Sequence, residues 1–239
     1  MSGSEAPGYE SYVEWKNWGH KFGSLERGDS KYFTKELREI ERRGEIHDVL
    51  ELGFGDGRFL AYCRERGWQA TGIELIPELV ELAKSSGFGA LLADQVATLP
   101  DASFDLIAAF DVLEHIPPSD SVEFLTGIRQ KLRPGGSVIL RFPNADTALG
   151  NPFQYGDPTH VNAIGLLKLR YYAASAELQV SRFRGSKGRS FETSLVHGLH
   201  RYTGLPIGRV LAGIKRAIYL PDVPVVLSSP NVIAVLRLA

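Results

Sequence analysis

"VLELGFGDGRFL", residues Val49–Leu60, decides how the rest of the chain is read. A short apolar run carries an acid at Glu51 and ends on Leu52. Glycine then stands at every second position, Gly53, Gly55 and Gly57. An apolar run that stops at glycines describes a buried strand followed by a tight turn. "RFLAYCRERG" next places Phe59, Leu60 and Cys63 on one helical face, with Gly67 as the stop. Strand, glycine turn and helix in that order make a corner where a ligand can lie against backbone, because no Cβ intervenes. A purely structural bend uses glycine too, so the loop alone leaves both readings open.

The alternation continues outward. "QATGIEL" (69–75), "GALLAD" (89–94), "FDLIAAF" (104–110), "SVILRFP" (137–143), "ELQVSRF" (177–183) and "NVIAVLRL" (231–238) read as six further strands. Pro77 opens a helix striped by Leu79, Leu82 and Ala83. Asp120 and Glu123 predict a capping box for a helix with Val122, Leu125, Ile128 and Leu132 on its apolar face. "PGG" (134–136) turns the chain into the fifth strand, and Ile164 to Ala174 reads as helical. Upstream, "YFTKELREIERRG" (32–44) predicts a helix closed by Gly44.

Strands separated by helices imply right-handed crossovers. The expected fold is α/β: a Rossmann-like, doubly wound, seven-stranded, mostly parallel sheet with helices on both faces. Residues 1–46 are expected to form a helical lid, since Tyr9, Tyr12, Trp15, Trp18, Phe22, Tyr32 and Phe33 are too many aromatics for a solvated tail. Residues 47–239 form the main domain. It carries an insertion at about 185–230 that includes the helically spaced "LPIGRVLAGIKRAIYL" (205–220).

The 239 residues are 44% apolar and 23% charged, ordinary for a globular protein. A net charge of −1 argues against nucleic acid as a partner. The charge is uneven, however. From Arg182 onward nine Lys/Arg face two acids, so this third is +7 and residues 1–181 are −8. Such a surface suits an anionic substrate or peripheral membrane contact, or is a solvated face. A lone cysteine, Cys63, allows no intrachain disulfide and predicts a reducing cytoplasm. "MSGSEAPGYE" lacks the basic and apolar regions of a secretory leader, and no apolar run is long enough to span a bilayer.

Two more strand ends carry chemistry. Glu74 closes the second strand, 21 residues after Gly53, where an acid can accept both hydroxyls of a ribose. Asp94 closes the third, where an acid can accept from an adenine amino group. A dinucleotide site would want Gly-x-Gly-x-x-Gly, and here the third glycine is one residue early. Glu51 ahead of the loop suits a cationic ligand tail better than a pyrophosphate, which opposes a nicotinamide oxidoreductase. No Gly-Lys-Ser/Thr follows, so a P-loop is excluded.

With these residues assembled, the chain resembles the class I S-adenosylmethionine-dependent methyltransferases. "ELGFGDG", "GIEL", "LLADQ", "FDLIAAFDVLEHI" and "LRPGGSVILRFPN" are similar to five of their motifs, in order, over about residues 47–184 plus the last strand. The resemblance implies S-adenosyl-L-methionine as cofactor and S-adenosyl-L-homocysteine as product. It implies Glu51, Gly53, Gly55 and Gly57 around the amino acid end, and Glu74 with Leu75 on the ribose. Asp94 and Gln95 would lie beside the adenine, with Phe110 and the lid residue Trp18 near the pocket. "DPTHV" (157–161) is similar to loops of bacterial polysaccharide and O-antigen methyltransferases, which implies a glycan hydroxyl, free or lipid-linked, as acceptor.

A hydroxyl is a poor nucleophile and benefits from a positioned base. "DVLEHI" places Asp111, Glu114 and His115 after the fourth strand, and "NPFQYGDPTHVNAIG" places Asp157 and His160 after the fifth. His160 is expected to take the acceptor proton, Asp157 to orient it, and His115 to act from the opposite rim; a histidine that merely staples the loop is the other reading. Asp111, His115, Asp157 and His160 are metal-ligand types, but no tight local spacing groups them, and no metal is expected. A small phenolic or quinone-like acceptor, methylated on O or N, is the alternative substrate class. A nucleoside-binding module without turnover is the alternative from another class.

Overall fold

A computed structural model describes residues 22–187 and 204–239. Seven strands make one sheet: β1 (Asp48–Leu52), β2 (Gln69–Glu74), β3 (Gly89–Leu92), β4 (Phe104–Phe110), β5 (Leu132–Pro143), β6 (Leu178–Gly185) and β7 (Asn231–Leu238). Their order is β3-β2-β1-β4-β5-β7-β6. β1 to β5 pair in parallel, and β7 runs antiparallel between β5 and β6. The expected seven-stranded, mostly parallel Rossmann-like sheet is the one found.

Period-two alternation divides the core between two faces. Val49, Leu106, Ala108, Ile139, Ile233 and Val235 meet α1 (Arg27–Glu41) and α2 (Arg58–Glu65). Leu50, Ile107, Leu140, Val232 and Ala234 join the other cluster, which holds Leu125 and Ile128 of α4 (Ser121–Lys131) and Leu169 and Tyr172 of α6 (Leu166–Ser175). α3 (Pro77–Ser85), with Pro77 in its first turn as expected, buries Leu79, Val80 and Ala83 under Phe54 and Leu60. A fully buried side chain such as Phe59 contributes about 1.5–3 kcal/mol.

Some local expectations are corrected. The first helix begins at Arg27, well before Tyr32. Tyr32 and Phe33 stand on the inner face of α1 and are buried in the core cluster. Trp15 and Trp18, the central residues of the expected lid, lie outside the described residues. Asp120 does cap α4 by position, but its side chain makes no capping bond, because its carboxylate takes the Ser119 hydroxyl instead. The "PGG" turn is absorbed into β5, with a register shift between Phe104 and Leu106 on the facing strand.

The chain reverses winding direction between β1 and β4, so their carboxyl ends open a crevice. The loop after β5, with the short α5 (Asn151–Gln154), folds over that edge. Backbone bonds from Val161 N and Asn162 N to the Glu114 carbonyl, both 3.0 Å, tie it to the segment leaving β4.

Candidate active site

The glycine turn is built from left-handed backbone, with φ of +66° at Gly53, +51° at Gly55 and +73° at Gly57. Gly53 N–H bonds the Ile73 carbonyl at 2.8 Å, and Gly55 N–H bonds Glu74 Oε2 at 3.0 Å. Glu74 also accepts from Leu75 N at 2.7 Å, so this buried acid clamps the loop to the end of β2. Burial raises its pKa, and the backbone donors hold it back.

Two cavities meet here. One, of about 590 Å³, is lined by Glu51, Gly53, Gly55, Glu74, Leu75, Phe110, His115, Asp157 and His160 among others. Its aromatic walls are Phe33, Phe54, Phe59, Phe110 and Phe153. The second, of about 850 Å³, shares Gly53, Glu74, Leu75, Val112 and Ile116 and continues between Ala93, Val96 and Phe124. It is more apolar, and a planar base would fit its walls.

Three residues of the expected cofactor set stand elsewhere. Gly57 lies behind the loop: a Cβ there would meet the Phe22 ring at 2.6 Å, so this glycine serves packing and the left-handed entry to α2. Asp94 and Gln95 are exposed in the 3₁₀ turn Ala93–Thr98 and line neither cavity. The Gln95 side-chain oxygen accepts from Leu92 N at 3.0 Å. The apolar walls Val96 and Val112 are contributed by tertiary packing.

Glu51 is 3% exposed, and its Oε2 has no hydrogen-bond partner. Burial, with Asp56 and Glu74 nearby, pushes its pKa well up. A buried carboxylate with one oxygen unpartnered, facing a crevice, fits a cationic ligand group. Beside it Gly53 packs against the cavity residue Val112, where a Cβ would sit 2.7 Å from Val112 Cγ2. The carboxylate fits a nucleoside that carries a charged amino acid tail.

Across the cavity, Asp157 and Thr159 order the opposite rim. Asp157 Oδ1 accepts from Thr159 N at 3.0 Å and from Thr159 Oγ1 at 2.6 Å. His160 Nε2 lies 3.6 Å from Asp157 Oδ2, an ion-pair distance longer than the hydrogen bond that a dyad would make. The His115 and His160 rings meet edge to face at 4.5 Å, and His115 Nδ1 is 3.0 Å from Thr159 Oγ1. The sequence places Glu114 among the candidate bases beside His115, without singling it out. It is 1% exposed, with both carboxylate oxygens lacking hydrogen-bond partners, and its Oε1 lies 4.0 Å from His160 Nε2. Burial, then the nearby Asp111, pushes its pKa well up. Asp111, itself in left-handed backbone at φ +59°, is held in a two-pronged ion pair by Arg141.

A family model described as a methyltransferase domain matches residues 22–182, more than half of the chain. An ubiquinone biosynthesis O-methyltransferase of Xanthomonas oryzae pv. oryzae is 30% identical over 108 residues, which are 42% of this chain and 44% of that protein. A protein of the same description from Xylella fastidiosa is 30% identical over 109 residues, 42% of this chain and 43% of that protein. The chain thus spans less than half the length of these relatives. The fold is shared with an S-adenosylmethionine-dependent methyltransferase of Archaeoglobus fulgidus, at TM-score 0.64 and 16% identity over 95% of this chain and 98% of that one. It is shared likewise with one of Clostridium acetobutylicum, at TM-score 0.59 and 11% identity over 97% and 99%. The chain belongs to the methyltransferase-domain family.

Proposed function

We propose that the protein methylates a hydroxyl oxygen of a small phenolic or quinone-like acceptor. S-adenosylmethionine, when bound, supplies an electrophilic methyl on a sulfonium. The observation that carries the reading is the first cavity: a cofactor wall at Glu51 and Gly53 faces an imidazole and carboxylate wall across five phenylalanines. Aromatic walls suit a flat acceptor, and the partial similarity to O-methyltransferases of ubiquinone biosynthesis supports the same class. Glu51 holds the amino group of the cofactor tail, and Gly53, Gly55, Glu74 and Leu75 hold the nucleoside. Phe110 closes the floor. Asp94, Gln95 and Trp18 are left without a role in this reading. Holding two reactants in line supplies much of the rate, on the order of 7–11 kcal/mol in favourable cases. We assign activation of the hydroxyl to His160, with Asp157 and His115 as its neighbours.

The glycan reading has one observation in its favour, the basic C-terminal third, which suits an acceptor carried on a pyrophosphate lipid. Either acceptor class can be lipid-borne. Among the described residues no helix is long and apolar enough to cross a membrane. α7 (Gly204–Tyr219) is amphipathic instead. Ile207, Val210, Leu211, Ile214 and Ile218 form one exposed apolar stripe, Arg209 and Arg216 lie opposite, and residues 204–219 contain no acid. An anionic lipid surface is the occupant this charge favours.

One experiment addresses acceptor and surface together. Labelled methyl incorporation is measured with a catechol and a lipid-linked sugar, each carried in phosphatidylglycerol vesicles. The catechol is expected to be labelled, and Ile214→Glu is expected to slow the vesicle-borne reaction while sparing a soluble catechol. Labelling of the sugar alone would move the assignment to the glycan. Equal rates for Ile214→Glu in vesicles would remove the surface contact.

A pH dependence follows from Glu51. Its folded pKa is raised, so the ligand-free protein favours the neutral form, and that stability is lost as pH rises from the ordinary glutamate range through the raised value. A cation bound at the carboxylate reverses the preference. Affinity for S-adenosylhomocysteine is therefore expected to rise with pH until Glu51 is ionised, and Glu51→Gln is expected to flatten the profile. Calorimetry between about pH 5 and 8 reads this out; a slope that survives in Glu51→Gln would belong to another group.

A further inference from the structure

We propose that Glu114, His115 and His160 form a site for a first-row divalent cation, and that the cation activates the acceptor hydroxyl. The inference rests on the methyl-transfer reading above and names how that wall of the cavity works. One ligand atom from each of the three residues lies within 4.8 Å of the others. Neighbouring ligands of a tetrahedral ion stand about 3.4 Å apart at bond lengths near 2.1 Å, so the cluster must draw in by up to about 1.4 Å when the ion binds.

A second observation is independent of that spacing. Both oxygens of Glu114 are buried without a hydrogen-bond partner, on a side chain 1% exposed. Removing a carboxylate from water costs several kcal/mol unless a cation or donors meet it. Asp111 cannot supply the compensation, since it is another acid and Arg141 already holds it. His160 Nδ1 is also buried without a partner, so the cluster is short of polar contacts on both sides.

The bonds behind His115 orient it as a ligand. The Thr159 hydroxyl donates its proton to Asp157 Oδ1, so its lone pair accepts from His115 Nδ1–H. That tautomer carries the lone pair on Nε2. A histidine whose second nitrogen donates to an oxygen that is itself hydrogen-bonded to a carboxylate is the outer-shell pattern of metal sites. Two imidazoles and one carboxylate, with no thiolate, suit manganese, iron, cobalt or zinc. Three protein ligands leave positions open for the acceptor oxygen.

The step then balances as follows. Coordination lowers the pKa of the hydroxyl, whose O–H bond breaks with loss of the proton to water. The oxygen lone pair forms the bond to the methyl carbon as the carbon–sulfur bond of the sulfonium breaks. The products are an ether and a neutral thioether. Nothing is oxidised or reduced.

The test titrates manganese(II) chloride into the full chain saturated with S-adenosylhomocysteine, and records the visible spectrum with cobalt(II) chloride. One manganese per chain and a cobalt spectrum with nitrogen ligation are expected. Glu114→Gln keeps the shape and removes the charge, and His115→Gln is the second variant should the first fail to fold. Each is expected to weaken manganese binding by about 100-fold, at least the loss an outer-shell partner causes, with S-adenosylhomocysteine affinity retained. No manganese binding by the wild-type chain, or binding unchanged in both variants, overturns the site and leaves the methyltransferase reading intact. Absence of S-adenosylhomocysteine binding in the wild-type chain would instead overturn the cofactor assignments on which the whole reading rests.

Discussion

Replacing His160 by alanine is expected to lower turnover by about 10²–10⁴-fold, the usual size of a proton-transfer contribution, with cofactor affinity near wild type. The side chain is 8% exposed and belongs to the cavity wall formed by the loop after β5. Glu51 and Gly53, assigned to the cofactor, come from β1 and its turn. The two functions therefore separate by element, and the variant should lose kcat without losing ground-state binding. Direct proton removal and activation through a cation both require this imidazole, so the prediction holds for either. Single-turnover rates beside calorimetry with S-adenosylhomocysteine make the comparison. Near-wild-type turnover would leave proximity to do the work and return His160 to a loop-stapling role. Equal losses in turnover and cofactor affinity would mean that the loop after β5 collapses without it.

Gly53→Val is expected to weaken cofactor binding by about 30-fold or more. Backbone at φ +66° costs an ordinary L-residue roughly 1–2 kcal/mol, and a β-branched one more. The new Cβ would also stand 2.7 Å from Val112 Cγ2. Val112 lines both cavities, so its retreat would fill nucleoside space. Strain and overpacking together amount to about 2–5 kcal/mol, which corresponds to a loss of about 30- to several-thousand-fold if it falls on binding. Part will fall on stability, so calorimetry is read beside thermal denaturation. Gly53→Ala, with the strain but no branch, should retain measurable affinity. A Gly53→Val protein that binds S-adenosylhomocysteine like wild type would make the turn a structural bend, the reading its composition alone left open.

Much of this molecule is written locally. β1, β4 and β7 coincide with the apolar runs "DVLEL", "FDLIAAF" and "NVIAVLRL", because a strand buried on both faces needs unbroken apolar sequence. Glu51, Gly53, Gly55 and Glu74 were legible for a related reason. Their places at strand ends and in one turn follow from chain order once the sheet is doubly wound. Gly57 shows the limit of that logic: it has the same residue type and spacing, but only packing reveals Phe22 beneath it.

The activating wall lies beyond what local pattern can show. Glu114 and His160 are 46 positions apart, and nothing near either marks the other. They meet because β4 and β5 are neighbours and because two backbone bonds to the Glu114 carbonyl pull the loop after β5 across the sheet edge. Asp94 shows the converse limit. A strand-end acid points toward a ligand only if the following turn aims it there, and here a 3₁₀ turn leaves it in solvent. Sequence alone determined the periodic elements and the glycine turn after β1, since these rest on contacts within a strand, a helix or a turn. Tertiary structure alone decided which acid, which histidines and which apolar walls share one cavity, since those contacts are set by crossovers and loop docking.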